Sequence, residues 1–317
     1  MKNKLALIFS LFLLIQITTA HAGIDEAKAA YNKGEFALAL KLTQPLANDG
    51  NAIAQNLLGN MYSTGHGVEK DYFQALVWYH KAAEQSYPNA QRNLGIAYEQ
   101  GEGVLRDQAI ALEWYRKAAA QGLSEAQVDL GFAYYNGIGI TQNRTEALKW
   151  YRKAADQGNV AAQNNIGIAY SFGGGIPQDY EQAVAWFRKA SEQNYSEAQF
   201  NLGSSYEKGQ GVPQDLAQAI SWYSKAAEQG HAKAQFNLGV MYSKGRGVKQ
   251  DYAQSIAWYR KASEQNHADA QYSLGYMYGK GQGVSLDYAI AAEWFRKAAA
   301  NGNENASNSL KFVKEAL

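Results

Sequence analysis

The sequence predicts an all-α protein built as a solenoid, and three observations predict it. Ala-Gln recurs from Ala54-Gln55 to Ala270-Gln271 at steps of 36 residues, with no insertion or deletion across seven copies. All seven tryptophans of the 317-residue chain, Trp78 to Trp294, form a second column that follows the first by 24 residues. Within each copy the apolar residues recur at helical spacing. A fixed period between about 20 and 50 residues marks stacked supersecondary units.

The chain opens with the layout of a secretory signal peptide over 1–22. Lys2 and Lys4 form a positive start, and Leu5 to Ile17 is apolar apart from Ser10 and Gln16. Ala20-His21-Ala22 is a small-residue cleavage site before Gly23. The apolar stretch falls short of the roughly 20 residues that span a membrane. The mature protein is therefore expected in the periplasm, with secretion as the alternative, and without a transmembrane segment. No cysteine is present. That excludes disulfides, thiolate catalysis and cysteine zinc ligands, so stability rests on packing. Without Lys2 and Lys4, basic and acidic residues almost balance, which gives no electrostatic footprint for nucleic acid.

Residues 23–50 read as a degenerate, tetratricopeptide-like capping repeat with a shorter loop and no Trp-Tyr pair. Seven full units follow over 51–303. In the first, Ala54, Leu58, Met61 and Tyr62 share one face of a helix, called helix A here. Gly65-His66-Gly67 breaks it, glycine suiting a left-handed cap. Asp71 stands where a second helix, helix B, needs an N-cap, and Asp or Asn recurs there through Asp287. Helix B carries Ala75, Trp78, Tyr79 and Ala82 on one stripe and ends near Gln85. Gly59 lies inside helix A and recurs in every unit through Gly275. Each such glycine costs roughly 0.8–1 kcal/mol against alanine. The expected offset is close approach of the Trp-Tyr or Trp-Phe pair of helix B. Residues 304–317 read as a polar capping helix, with Ala306 and Leu310 on the helix A columns.

These residues resemble the Sel-one-like repeat, a relative of the tetratricopeptide repeat. The third copy shows it: Ala126-Gln127, Leu130-Gly131, Tyr134, Gly137-Ile138-Gly139 and Trp150-Tyr151-Arg152-Lys153-Ala154-Ala155. Departures are few: Gln108 and Arg144 replace the tyrosine after the cap, and Ile166 replaces the leucine. The resemblance implies a right-handed α/α superhelix with helix A on the concave side. It also implies an adaptor or scaffold role. Exported bacterial members look like regulators of membrane sensor kinases, parts of polysaccharide-export machinery or host-contact factors. Cysteine-rich relatives described as penicillin-binding or β-lactamase-like imply an alternative, a cell-wall or β-lactam-directed hydrolase. The missing cysteines argue against carrying that over.

Columns that repeat should be core, so columns that vary are candidates for recognition. On helix A, Val128, Phe132 and Tyr135 would form one apolar patch. Phe236, Val240, Tyr272 and Tyr276 would form another. The alternative is that these rings pack against the neighbouring helix A. Asn93, Asn165, Asn201 and Asn237 share a column whose amides can bond an extended peptide. Lys208, Lys244 and Lys280 share another and would favour an acidic or carboxylate-ended ligand. The alternative for both is a solvated face. The Arg-Lys columns of helix B, with Arg152–Asp156, Arg188–Glu192 and Arg260–Glu264 at i,i+4, read as a solvated outer face.

Catalytic and metal signatures are not apparent. His66, His80, His231 and His267 form no recurring metal-ligand spacing, and the Gly-x-Gly turns follow helices rather than strands. The sequence therefore predicts a protein-binding scaffold with no catalytic activity and no cofactor, acting as a monomer on a protein or peptide partner within an envelope complex, regulatory system or host-contact pathway.

Overall fold

The computed structural model describes residues 23–315. The expected signal segment lies outside them. Among the described residues there are seventeen helices and no strand. The chain forms two compact units, one up to Gln157 and the other from Gly158.

The first unit holds α1 (23–32), α2 (Phe36–Asn48), α3 (Ala52–Thr64), α4 (Tyr72–Glu84), α5 (Pro88–Gln100), α6 (Gln108–Ala120), α7 (Ser124–Asn136) and α8 (Arg144–Asp156). The second holds α9 (Val160–Phe172), α10 (Tyr180–Ser191), α11 (Ser196–Lys208), α12 (Leu216–Glu228), α13 (Ala232–Lys244), α14 (Tyr252–Glu264), α15 (Ala268–Lys280), α16 (Tyr288–Ala300) and α17 (Ala306–Glu315). From α3 to α16 the odd helices are helix A and the even ones helix B.

The boundaries follow from the local chemistry that the sequence indicated. Asp71 has extended backbone and its carboxylate accepts from the Gln74 N–H, capping α4. Such a cap contributes about 1 kcal/mol. Gly65 closes α3 in the left-handed region at φ 77°. Within the units the next loop glycine, at Gly103, Gly139, Gly211, Gly247 and Gly283, packs on the start of the preceding helix B. A Cβ on Gly103 would stand 2.8 Å from the Tyr72 backbone.

Helix A glycines make room for one ring only. A Cβ on Gly59 would lie 2.5 Å from the Tyr79 ring, and at all seven positions it would lie under 3.0 Å from the equivalent Tyr or Phe. The expected pair is thereby narrowed. Tyr79, Tyr151 and Phe187 are buried, whereas the tryptophans are half-buried, and Trp78 and Trp114 cover the edge of the preceding repeat's core. A lysine three residues on lies over each indole, as Lys81 does over Trp78 at 4.0 Å and Lys225 over Trp222 at 3.9 Å. The helix B face is therefore organised by cation–π contact. None of the expected i,i+4 Arg–acid pairs is among the ion pairs of the described residues.

The Gln of each Ala-Gln is buried, and within each unit it joins successive hairpins. Gln55 Nε2 donates to the Ala47 carbonyl at 3.1 Å, and Gln55 Oε1 accepts from Gln85 Nε2 at 2.8 Å. In the second unit Gln235 bonds the Ala227 carbonyl at 3.0 Å and accepts from Gln265 at 2.8 Å. One amide thus satisfies a terminal carbonyl of one helix B and fixes the end of the next. Left unpaired, such a buried group costs about 1–3 kcal/mol.

The terminal helices cover the ends of the stacks. Ile24, Ala27 and Ala30 of α1 and Ala39 of α2 form one core with Ala54, Leu58 and Met61 of α3. At the other end Val313 of α17 packs with Ala291, Ala292 and Phe295 of α16. This last helix is less polar than expected outside its core face, because Phe312 is 63% exposed.

Candidate protein-binding surface

Successive helices A touch through the columns that the sequence left undecided. In the first unit Asn93 Nδ2 donates to Asn56 Oδ1 at 2.9 Å and to Asn60 Oδ1 at 3.0 Å. In the second, Asn201 Nδ2 donates to Asn164 Oδ1 at 2.9 Å. These amides serve the stack, so Asn201 does not present a free donor pair to a peptide. Asn237 is half-buried beside the Tyr223 hydroxyl. Asn56 and Leu57, both on α3, are buried because the neighbouring hairpin covers them.

The aromatic column at 200, 236 and 272 is mostly packing. Phe236 stacks on His267 with centroids 4.8 Å apart, and Phe200 stacks on His231 at 4.7 Å. His231 Nδ1 accepts from the Ala234 N–H, capping α13, while Nε2 donates to Glu197 Oε2 at 2.9 Å. That bond holds the Glu197 carboxyl below its ordinary range. His267 caps α15 in the same way, and burial pulls its imidazole below the usual value. Tyr272 packs on Phe295, with centroids 5.4 Å apart. Val240 is half-buried against the same core as Phe236.

Two expected aromatic residues remain open. Phe132 on α7 is 49% exposed, and Tyr276 on α15 is 45% exposed. Val128 and Tyr135 flank Phe132 and are half-buried, with the Arg144 guanidinium over the Tyr135 ring at 5.2 Å. Beside this patch Arg92 and Asp129 pair at 2.5 Å, a contact the sequence reading did not single out. Burial raises the Asp129 carboxyl above its ordinary value, against the pull of Arg92.

The second unit has two adjacent clefts that share Tyr272 and Tyr276. One, of about 450 Å³, is also lined by Ser243, Lys244, Tyr252, Tyr259 and Ser273. The other, of about 290 Å³, is also lined by Lys280, Phe295, Asn308 and Phe312. Four expected residues are thus brought together: Lys244, Tyr272, Tyr276 and Lys280. Lys208 is exposed but lines neither cleft. Sequence reasoning missed Phe312 and Tyr252. The signal for Phe312 was an apolar residue on a terminal helix with no further repeat to cover it. The first unit offers a different cleft, of about 320 Å³, whose polar wall is Asn60, Ser63, Tyr79 and Asn93. Tyr79 donates to Asn60 Oδ1 at 2.8 Å, and burial pushes its hydroxyl pKa up to about 12, so it stays a donor at neutral pH.

These surfaces sit on a scaffold whose unit matches a known one. The Sel1 repeat model matches residues 52–87, 88–123, 124–159, 160–195, 196–231, 232–267 and 268–303. This chain belongs to the Sel1 repeat family. A protective antigen of uropathogenic Escherichia coli with an SLR fold is 36% identical, covers 97% of this chain and 68% of its own, and gives a TM-score of 0.70. A Sel1 repeat protein from Oxalobacter formigenes is also 36% identical, covers 76% of this chain and 96% of its own, and gives 0.71. Yeast Tom70, 14% identical with a TM-score of 0.54 over 88% of this chain and 59% of its own, shares the fold alone. Comparison with curated proteins gives no match. Sel1 repeat proteins generally mediate protein–protein interaction. Among the described residues no helix is long and apolar enough to cross a membrane.

Proposed function

We propose that this Sel1 repeat protein is an exported scaffold that binds a partner protein through the variable residues of helix A, within an envelope complex, regulatory system or host-contact pathway. The observation that carries this reading is the division of labour on helix A. Its repeated residues are consumed by stacking, while Phe132 and Tyr276 stand about half exposed at 49% and 45%. Isolated apolar residues are ordinary on surfaces, but a cluster rimmed by polar groups marks an interaction site. The layout of residues 1–22 supports export, with the periplasm as the first location and secretion as the second. The similarity to an Escherichia coli antigen is in keeping with a role outside the cytoplasm.

The test is fractionation followed by photo-crosslinking in intact cells. A crosslinking amino acid at 132 or 276 is expected to trap a discrete protein, in the periplasmic or secreted fraction. The same group at Glu113, exposed on helix B, is expected to trap none. Equal trapping from both faces, or a cytoplasmic protein, would refute the proposal.

A further inference from the structure

The paired clefts of the second unit carry a charge pattern that names their occupant. Each cleft is lined by a single ionic side chain, and in both it is a lysine: Lys244 in one, Lys280 in the other. Neither lysine belongs to an ion pair among the described residues. Beside Lys244 stands Tyr252, whose hydroxyl accepts from Gln250 Nε2 and keeps its proton for a carboxylate, while Ser243 and Ser273 donate to the Val240 and Asp269 carbonyls. Around Lys280 stand the rings of Phe295 and Phe312, the latter largely exposed. The polar cleft of the first unit has the opposite sign, its one ionic residue being Glu102.

Lys244 and Lys280 are equivalent residues, each the last of its helix A. Neighbouring packed helices lie roughly 8–10 Å apart, and an extended chain advances about 3.3 Å per residue. The two cations therefore match carboxylates about three residues apart.

We propose that these clefts hold an extended acidic peptide segment of the partner, its carboxylates on Lys244 and Lys280 and an aromatic side chain against Phe312. This deepens the scaffold reading and rests on it. Lysine would supply the attraction as a point charge, and the rings would supply the apolar contact.

The experiment is fluorescence anisotropy on the mature full chain. The probe is a fluorescein-labelled peptide Gly-Ser-Glu-Gly-Phe-Glu-Phe-Ser-Gly, with companions in which both Glu are Gln or both Phe are Ser. The parent peptide is expected to bind, and either companion to bind about tenfold more weakly. Lys244→Glu with Lys280→Glu is expected to weaken the parent by about tenfold or more, and Phe312→Ser to weaken only peptides that carry Phe. Lys33→Glu with Lys249→Glu, both exposed and outside the clefts, is the charge-matched control. Circular dichroism checks that each variant is folded. Failure of the parent peptide to bind, or equal binding by the cleft and control variants, overturns the proposal. The scaffold reading is decided separately, by crosslinking from 132 and 276.

Discussion

The Tyr259 ring lies on Gly239, where a Cβ would stand 2.5 Å from ring atoms. Alanine should gain about 1 kcal/mol of helix propensity there but lose about 1–3 kcal/mol to overpacking. Gly239→Ala is expected to destabilise the protein. Gly279 lies in the last turn of α15, and a Cβ there would meet nothing nearer than 3.6 Å. Gly279→Ala is expected to stabilise by about 0.5–1 kcal/mol. Urea unfolding of the two variants checks the opposite signs.

The buried Gln ladder makes a second prediction. Gln235→Met keeps the volume but leaves the Ala227 carbonyl and the Gln265 amide without this partner. A loss of about 1–3 kcal/mol is expected. Gln265→Ala, at an exposed helix end, should cost less. Unfolding midpoints in urea compare the two.

A pH dependence follows from His267. Burial holds its imidazole below the ordinary value, so the folded protein resists a proton that the unfolded chain accepts. The contribution to stability is complete above about pH 6.5 and is lost as pH falls below that value. Asp269 favours the proton and Lys233 opposes it. Asn51 and Asn159 already cap helices in this column through their side-chain oxygens. His267→Asn should keep the cap and flatten the fall in melting temperature between about pH 7.5 and 5.5. Glu197, held below its ordinary range by His231, loses its contribution only as pH falls through its own lower folded value.

The lysine–indole contacts are open to a direct check. Lys225→Gln removes the charge over Trp222 and is expected to cost about 0.5–1 kcal/mol. Lys249→Gln, exposed on a loop, should be neutral. Thermal melts of both variants suffice. The contact also makes charge reversal at Lys81 or Lys117 a poor control for binding, since both lysines lie over rings.

Much of this architecture was legible because repetition amplifies weak signals. One Asp before one helix is ambiguous, but Asp71 through Asp287 in a single column is a cap, and the structure places it so. Gly59 was legible as a packing residue, although spacing could not tell which ring of the Trp-Tyr pair required it. The ladder through Gln55 and Gln85 was written in two columns 30 residues apart, but only the backbone path brings them together. The site was legible in part. Lys244, Lys280, Tyr272 and Tyr276 do meet, whereas Asn201 and Phe236 are drawn into the stack by neighbours that a helical wheel does not contain.

The central claim is that variable helix A residues bind the partner while repeated residues only build the stack. Its most direct test is capture of the partner by Phe132→Asp with Tyr276→Asp, measured by affinity pull-down and by melting temperature on the same preparation. The account predicts an unchanged melting temperature and loss of the trapped partner. An unchanged melting temperature with undiminished capture would contradict it.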